Sequence, residues 1–125
     1  MKIFVFGNPD LQNDSLPFRL LPKLKRTFPD IDFIHLDPNE EFEIPSELVV
    51  IDTVEGIKKV EIIDNLSLIK KSPRTTLHDF DLGALLFFLK KLGKVSKIKI
   101  IGVPPDFDEK KALVQIKLII KKLKP

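Results

Sequence analysis

No cysteine occurs anywhere in the sequence. That excludes a disulfide framework, a thiolate metal site and a cysteine nucleophile. No run of about 18 apolar residues is present, so no segment reads as a membrane span. The opening "MKIFVFGN" is too short an apolar run for a signal peptide. There is no G-x-G-x-x-G and no Walker loop, the usual ways a chain cradles phosphate. None of Ser15, Ser46, Ser67, Ser72 and Ser96 sits in a G-x-S-x-G turn, which removes the usual signal of serine hydrolysis. Tyrosine and tryptophan are missing too, so all ten aromatics are Phe, and most of them lie in apolar runs. Nucleic-acid binding calls for basic clusters interleaved with exposed aromatics. The net charge of +3 therefore reads as a solvated lysine surface.

What is present is a globular composition. Hydrophobic residues make up 43% and charged residues 31% of 125 residues. That length is one domain, 1–125, able to bury a core of its own. The lysine, isoleucine and glutamate bias resembles that of proteins from hot environments. The reading is of a soluble, cytoplasmic protein that contacts neither membrane nor nucleic acid.

The patterning alternates strands and helices. "KIFVF" (2–6) is an apolar, β-branched and aromatic run stopped by Gly7, as in a buried parallel strand. "DSLPFRLLPKLKRTF" (14–28) carries apolar residues at 16, 20, 21, 24 and 28, which is helical spacing. Asp14 is placed to cap that helix and Pro17 fits its first turn, while Pro22 should kink or shorten it. "IDFIHL" (31–36) and "ELVVIDTV" (47–54) read as strands, the latter closing on Asp52, with the acidic loop 37–46 between them. "KKVEIID" (58–64) and "LSLIK" (66–70) read as a hairpin or an irregular ribbon. "FDLGALLFFLKKLG" (80–93) is an apolar helix closed by Lys90, Lys91 and Gly93. "KIKIIGV" (97–103) is a strand, and "EKKALVQIKLIIKKL" (109–123) a last helix. This order predicts an α/β fold: a three-layer sandwich with a twisted, mostly parallel sheet and helices on both faces, phosphorylase/hydrolase-like.

In open parallel sheets, ligands sit beyond the carboxyl ends of the strands. Gly7, Asn8 and Asp14 follow the first strand. Asp52 ends the third, with Thr53, Glu55 and Gly56 after it. His78, Asp79 and Asp81 precede the apolar helix, and Pro104 and Pro105 follow the last strand. Asp14, Asp52 and His78, one of only two histidines, thus fall on one edge. Their oxygen and nitrogen donors suit a borderline divalent ion such as zinc or nickel, and three ligands leave a position open for work. Each residue also has a purely structural reading. Asp14 would cap its helix, Asp52 would accept hydrogen bonds at a strand end, and His78 would neighbour a helix start. Glu55 reads as an outer support for the site or a surface group, and His35 as structural or surface.

Four stretches, in order, resemble one family. "FGNPDLQNDSLPFRLL" resembles the N-terminal signature of the hydrogenase maturation proteases, a strand followed by Gly-Asn, an acidic pair and a helix start. "VVIDTVEG" is similar to their second signature, a strand ending in Asp. "TTLHDFDLGALLFFLKKLG" is similar to the third, a His opening an amphipathic helix, and "KIKIIGVPPD" to the closing strand. The resemblance implies a metal-dependent endopeptidase that removes the C-terminal extension of a nickel-iron hydrogenase large-subunit precursor after nickel insertion. It implies Asp14, Asp52 and His78 as metal ligands, and Asp14 and Asp52 as the catalytic carboxylates. Aligning Gly7-Asn8 and Arg19 places the first ligand on Asp14. The metal would be nickel borne by the substrate, with zinc or cadmium able to occupy the same site. The protein would act as a monomer or weak dimer.

The sequence departs from the family pattern at its first turn. Asn13 stands for the first of the acidic pair, Pro17 for the usual glycine, and Ser15 where the residue is often small or Gly. The span between Asp52 and His78 is also short. These departures keep a second reading open, a non-enzymatic binding or assembly factor of the same fold. A nucleotide-binding α/β protein is a third, which the carboxylates of the first turn oppose.

Overall fold

A computed structural model describes residues 1–6, 15–35, 45–63, 93 and 97–124. Five strands and two helices lie among them: β1 (Lys2–Val5), α1 (Leu16–Thr27), β2 (Asp32–His35), β3 (Glu47–Thr53), β4 (Glu61–Ile63), β5 (Lys97–Val103) and α2 (Glu109–Leu123). The strands form one sheet in the order β2-β1-β3-β5-β4. The first four are parallel, and β4 joins antiparallel at the edge, on β5. Glu61–Ile63, read from the sequence as part of a hairpin or ribbon, extends the sheet along β5. A strand of three residues is marginal alone and is stabilised by joining an existing sheet. Residues 66–70 and the helix expected over 80–93 lie outside the described residues, apart from Gly93, whose φ of +74° suits a helix-closing glycine.

Both faces of the sheet carry buried apolar residues, and its central strands are correspondingly rich in them. On one face Ile3, Val5, Ile51, Ile101 and Val103 meet two helices. α1 presents Leu16, Leu20 and Leu24 to them, and α2 presents Ala112, Ile116 and Ile120. Each trio is spaced by four residues, one stripe along a helix. Burying a side chain of this size contributes about 1.5–3 kcal/mol. The other face gathers Phe4, Phe6, Leu48, Val50, Val54, Ile63, Ile98 and Ile100.

The helix ends follow local chemistry. The N-cap of α1 is Ser15 and not Asp14, with the Ser15 carbonyl accepting from the amides of Phe18 and Arg19 at 3.0 and 3.2 Å. Pro17 sits in the first turn, as its missing N–H allows. Pro22 does not shorten the helix, which runs on to Thr27. Pro22 lies on the exposed side of the helix. Asp108 caps α2 by accepting from the Lys111 amide at 3.1 Å, while Lys121 and Lys122 close its last turn. Lys124 beyond it meets Asp30 at 2.7 Å and lies over the Phe28 ring at 5.6 Å, tying the end of α2 to the α1–β2 turn.

Candidate functional site at the carboxyl edge of the sheet

The buried polar residues among those described are Ser15, Asp52 and Thr53. All three lie at the carboxyl edge, where β3 ends and α1 begins. β3 runs one residue past Asp52, to Thr53, and in its parallel register Asp52 stands beside Gly102 of β5 and Thr53 beside Val103. Side chains alternate along a strand, so Leu48, Val50, Asp52 and Val54 share one face. Three of the four are core residues of that face, and the fourth is a carboxylate 2% exposed.

The surroundings of Asp52 can be built outward from this register. Val5 pairs with Ile51, and the Phe6 amide bonds the Ile51 carbonyl at 2.9 Å, which carries β1 on past the site. Phe6, fully buried, belongs to the same face as Asp52. On the opposite flank Gly102 has no side chain, and Glu61 of β4 stands across from it in turn. Asp52 thus sits in a row with an aromatic on one side and a glycine on the other. Its Oδ1 is wholly out of contact with solvent. A carboxylate at this depth is costly unless hydrogen bonds or a cation compensate it.

The loop after β3 is held firmly. The Val54 amide bonds the Val103 carbonyl at 2.8 Å, and the Val60 amide bonds Gln115 Oε1 of α2 at 2.9 Å. Gly56 turns the chain between them with φ +90°. Glu55, in that turn, is half-buried. Pro104, buried, and Pro105, half-buried, follow β5 as read from the sequence, and Asp106 takes a left-handed φ of 56°, which aspartate tolerates.

Of the proposed ligand trio, Asp52 is described, and Asp14 and His78 lie outside the described residues, as do Asn13, Asp79 and Asp81. Among the described residues no group of three His, Cys, Asp or Glu side chains is placed to hold a metal. The donor chemistry of the trio, two carboxylates and an imidazole, suits a borderline divalent ion. Arg19 pairs with Glu109 at 3.9 Å, both partly exposed, which links the starts of α1 and α2. His35 is exposed, its ring set edge-on to Phe18 with centroids 4.6 Å apart, in keeping with its surface reading. Gly102 was not singled out by sequence reasoning. The available signal was a glycine interrupting the apolar run "KIKIIGV", which in a strand marks a close approach.

No protein-family model and no curated protein matches this sequence. Solved structures do match its fold. The hydrogenase maturating endopeptidase HybD from E. coli superposes with a TM-score of 0.68 at 16% identity, over 98% of this chain and 94% of that one. The NiFe hydrogenase maturation protease HybD from Thermococcus kodakarensis gives 0.64 at 21%, over 100% of both chains. A hydrogenase 3 maturation protease gives 0.70 at 18%, over 100% of this chain and 92% of that one. Among the described residues no helix is long and apolar enough to cross a membrane. The chain has the α/β fold of the hydrogenase maturation proteases, from its first strand to its last helix.

Proposed function

We propose that the protein is an endopeptidase that trims the C-terminal extension of a nickel-iron hydrogenase large-subunit precursor after nickel insertion, in the cytoplasm, as a monomer or weak dimer. One observation carries the proposal. A carboxylate 2% exposed interrupts an apolar row at the carboxyl edge of the sheet, in a fold shared with maturation proteases of this activity class. Four sequence stretches that resemble that family's signatures, in order, support it.

In this reading Asp14, Asp52 and His78 meet the nickel that the precursor carries, so that only a loaded precursor is seated. Zinc or cadmium would compete for the same donors. The bound ion supplies charge stabilisation beside the peptide to be cut. The protein's own carboxylates do the rest. Asp14 and Asp52 orient a water, and one of them takes its proton as the hydroxyl adds to the carbonyl. The proton then passes to the departing amine, and the peptide bond is hydrolysed without a covalent intermediate. The water-excluded setting of Asp52 strengthens each of these electrostatic contacts.

A second reading, an assembly factor that binds the precursor without cutting it, is favoured by Asn13 and Pro17 in the first turn. One experiment separates the two. Purified protein is incubated with nickel-loaded and nickel-free precursor, and the precursor mass is read. Trimming of the loaded form alone is the expected result. Tight binding without any loss of mass establishes the assembly factor instead.

A further inference from the structure

We propose that Gly102 is a positioning residue, a notch in β5 that seats the 54–60 loop against the sheet beside Asp52. The notch follows from the packing. A Cβ at position 102 would lie 3.0 Å from Ile63 Cδ1, 3.1 Å from Val54 Cγ2 and 3.2 Å from Ile57 Cδ1. Carbon contacts are ordinarily about 3.5–4.0 Å, so no side chain fits without moving these three. They reach the notch from three directions. Val54 comes from just past the end of β3, Ile57 from the middle of the loop, and Ile63 from β4. The backbone of Gly102 does not require glycine, because its φ is not positive. Its small size is therefore its use.

The position of the notch gives it a role. Gly102 and Asp52 are register partners on adjacent parallel strands, with their side-chain directions on one face. Whatever closes over Gly102 forms the flank of Asp52 opposite Phe6. Val54, two residues beyond Asp52, is fixed there both by its amide bond to Val103 and by its side chain in the notch. Ile57 fixes the middle of the loop, and the Val60 amide bond to Gln115 fixes its end. The loop is held at three points, and Gly102 supplies the central one. That Asp52 is the reactive carboxylate rests on the proposed function, whereas the seating of the loop does not.

The test is amide hydrogen exchange across the full chain, which needs no precursor. In Gly102→Ala, exchange over 54–60 is expected to quicken about tenfold while Leu20 and Leu24 in α1 hold their protection. Adding Ile63→Val, which removes the atom at 3.0 Å, is expected to restore most of the protection. Ile57→Ala leaves β5 intact, so it decides the matter if Gly102→Ala fails to fold, and the same loop is expected to loosen. Unchanged loop exchange in these variants, loosening that spreads equally into α1, or failure of Ile63→Val to restore protection each overturns the proposal. Where the wild type trims precursor, Gly102→Ala should lower kcat and leave KM within about twofold. A raised KM at unchanged kcat overturns it. Absence of trimming by the wild type counts against the proposed function alone.

Discussion

β3 carries a carboxylate near each end, and the two could hardly be treated more differently. Glu47 opens the strand at 68% side-chain exposure, 3.8 Å from Lys97, its register partner on β5. Asp52, five residues on, is 2% exposed and partners a glycine on that same strand. Glu47 meets a counter-charge in water, where ion pairs contribute about 0–1 kcal/mol. Asp52 is held where the medium resists charge and every neighbour in its row on β3 is apolar. One end of the strand settles register and solubility. The other holds a carboxylate away from water, in a row of apolar side chains.

The comparison breaks most easily at Asp52. Asp52→Asn keeps the shape and removes the charge. Trimming of nickel-loaded precursor should fall by about 10²–10⁴, the usual share of a general base or acid. A variant that trims at the wild-type rate removes Asp52 from the mechanism. Leu20→Ala supplies the converse. It empties a fully buried place on the helix-covered face and should cost about 2–5 kcal/mol in urea unfolding. Activity per folded molecule should stay near wild type, so equal loss in both variants would make the Asp52 effect one of folding.

A third carboxylate sharpens the contrast. Asp30 lies on the surface, and its hydrogen bond from Lys124 holds its pKa below the ordinary value of 3.8. A carboxyl whose folded pKa is depressed adds stability above its unfolded pKa and loses it as pH falls through the folded one. The stability difference between wild type and Asp30→Asn should therefore be present at neutral pH. It should shrink as pH drops below about 4 and under high salt. A gap that persists in acid would mean the contact acts by packing. The smallest effect belongs to Glu47→Gln, expected to shift stability by less than about 1 kcal/mol and activity not at all.

Much of this molecule is legible from local pattern. The leucine stripe of α1 and the alanine-isoleucine stripe of α2 declare their buried faces. β1, β3 and β5 declare themselves through the apolar residues of "KIFVF", "ELVVIDTV" and "KIKIIGV". The apparent obstacles were instructive. Pro22 sits inside α1 on its exposed side, and the helix runs past it to Thr27. Ser15 takes the cap expected of Asp14, because only the three-dimensional path of the chain says which of two adjacent capping residues lies at the turn. Glu61–Ile63 pairs with β5, and nothing in "KKVEIID" names that partner.

The carboxyl edge divides along the same line. Alternation in "ELVVIDTV" already places Asp52 on a face with Leu48, Val50 and Val54, since the period of a strand is two whatever surrounds it. That Gly102 is its neighbour, and that Val54, Ile57 and Ile63 close over the glycine, depends on β5 lying next to β3 although some forty residues separate them. Periodicity is a property of the backbone and travels with the residues. Adjacency is decided when the sheet forms, because which strands pair depends on how all the apolar faces are buried together.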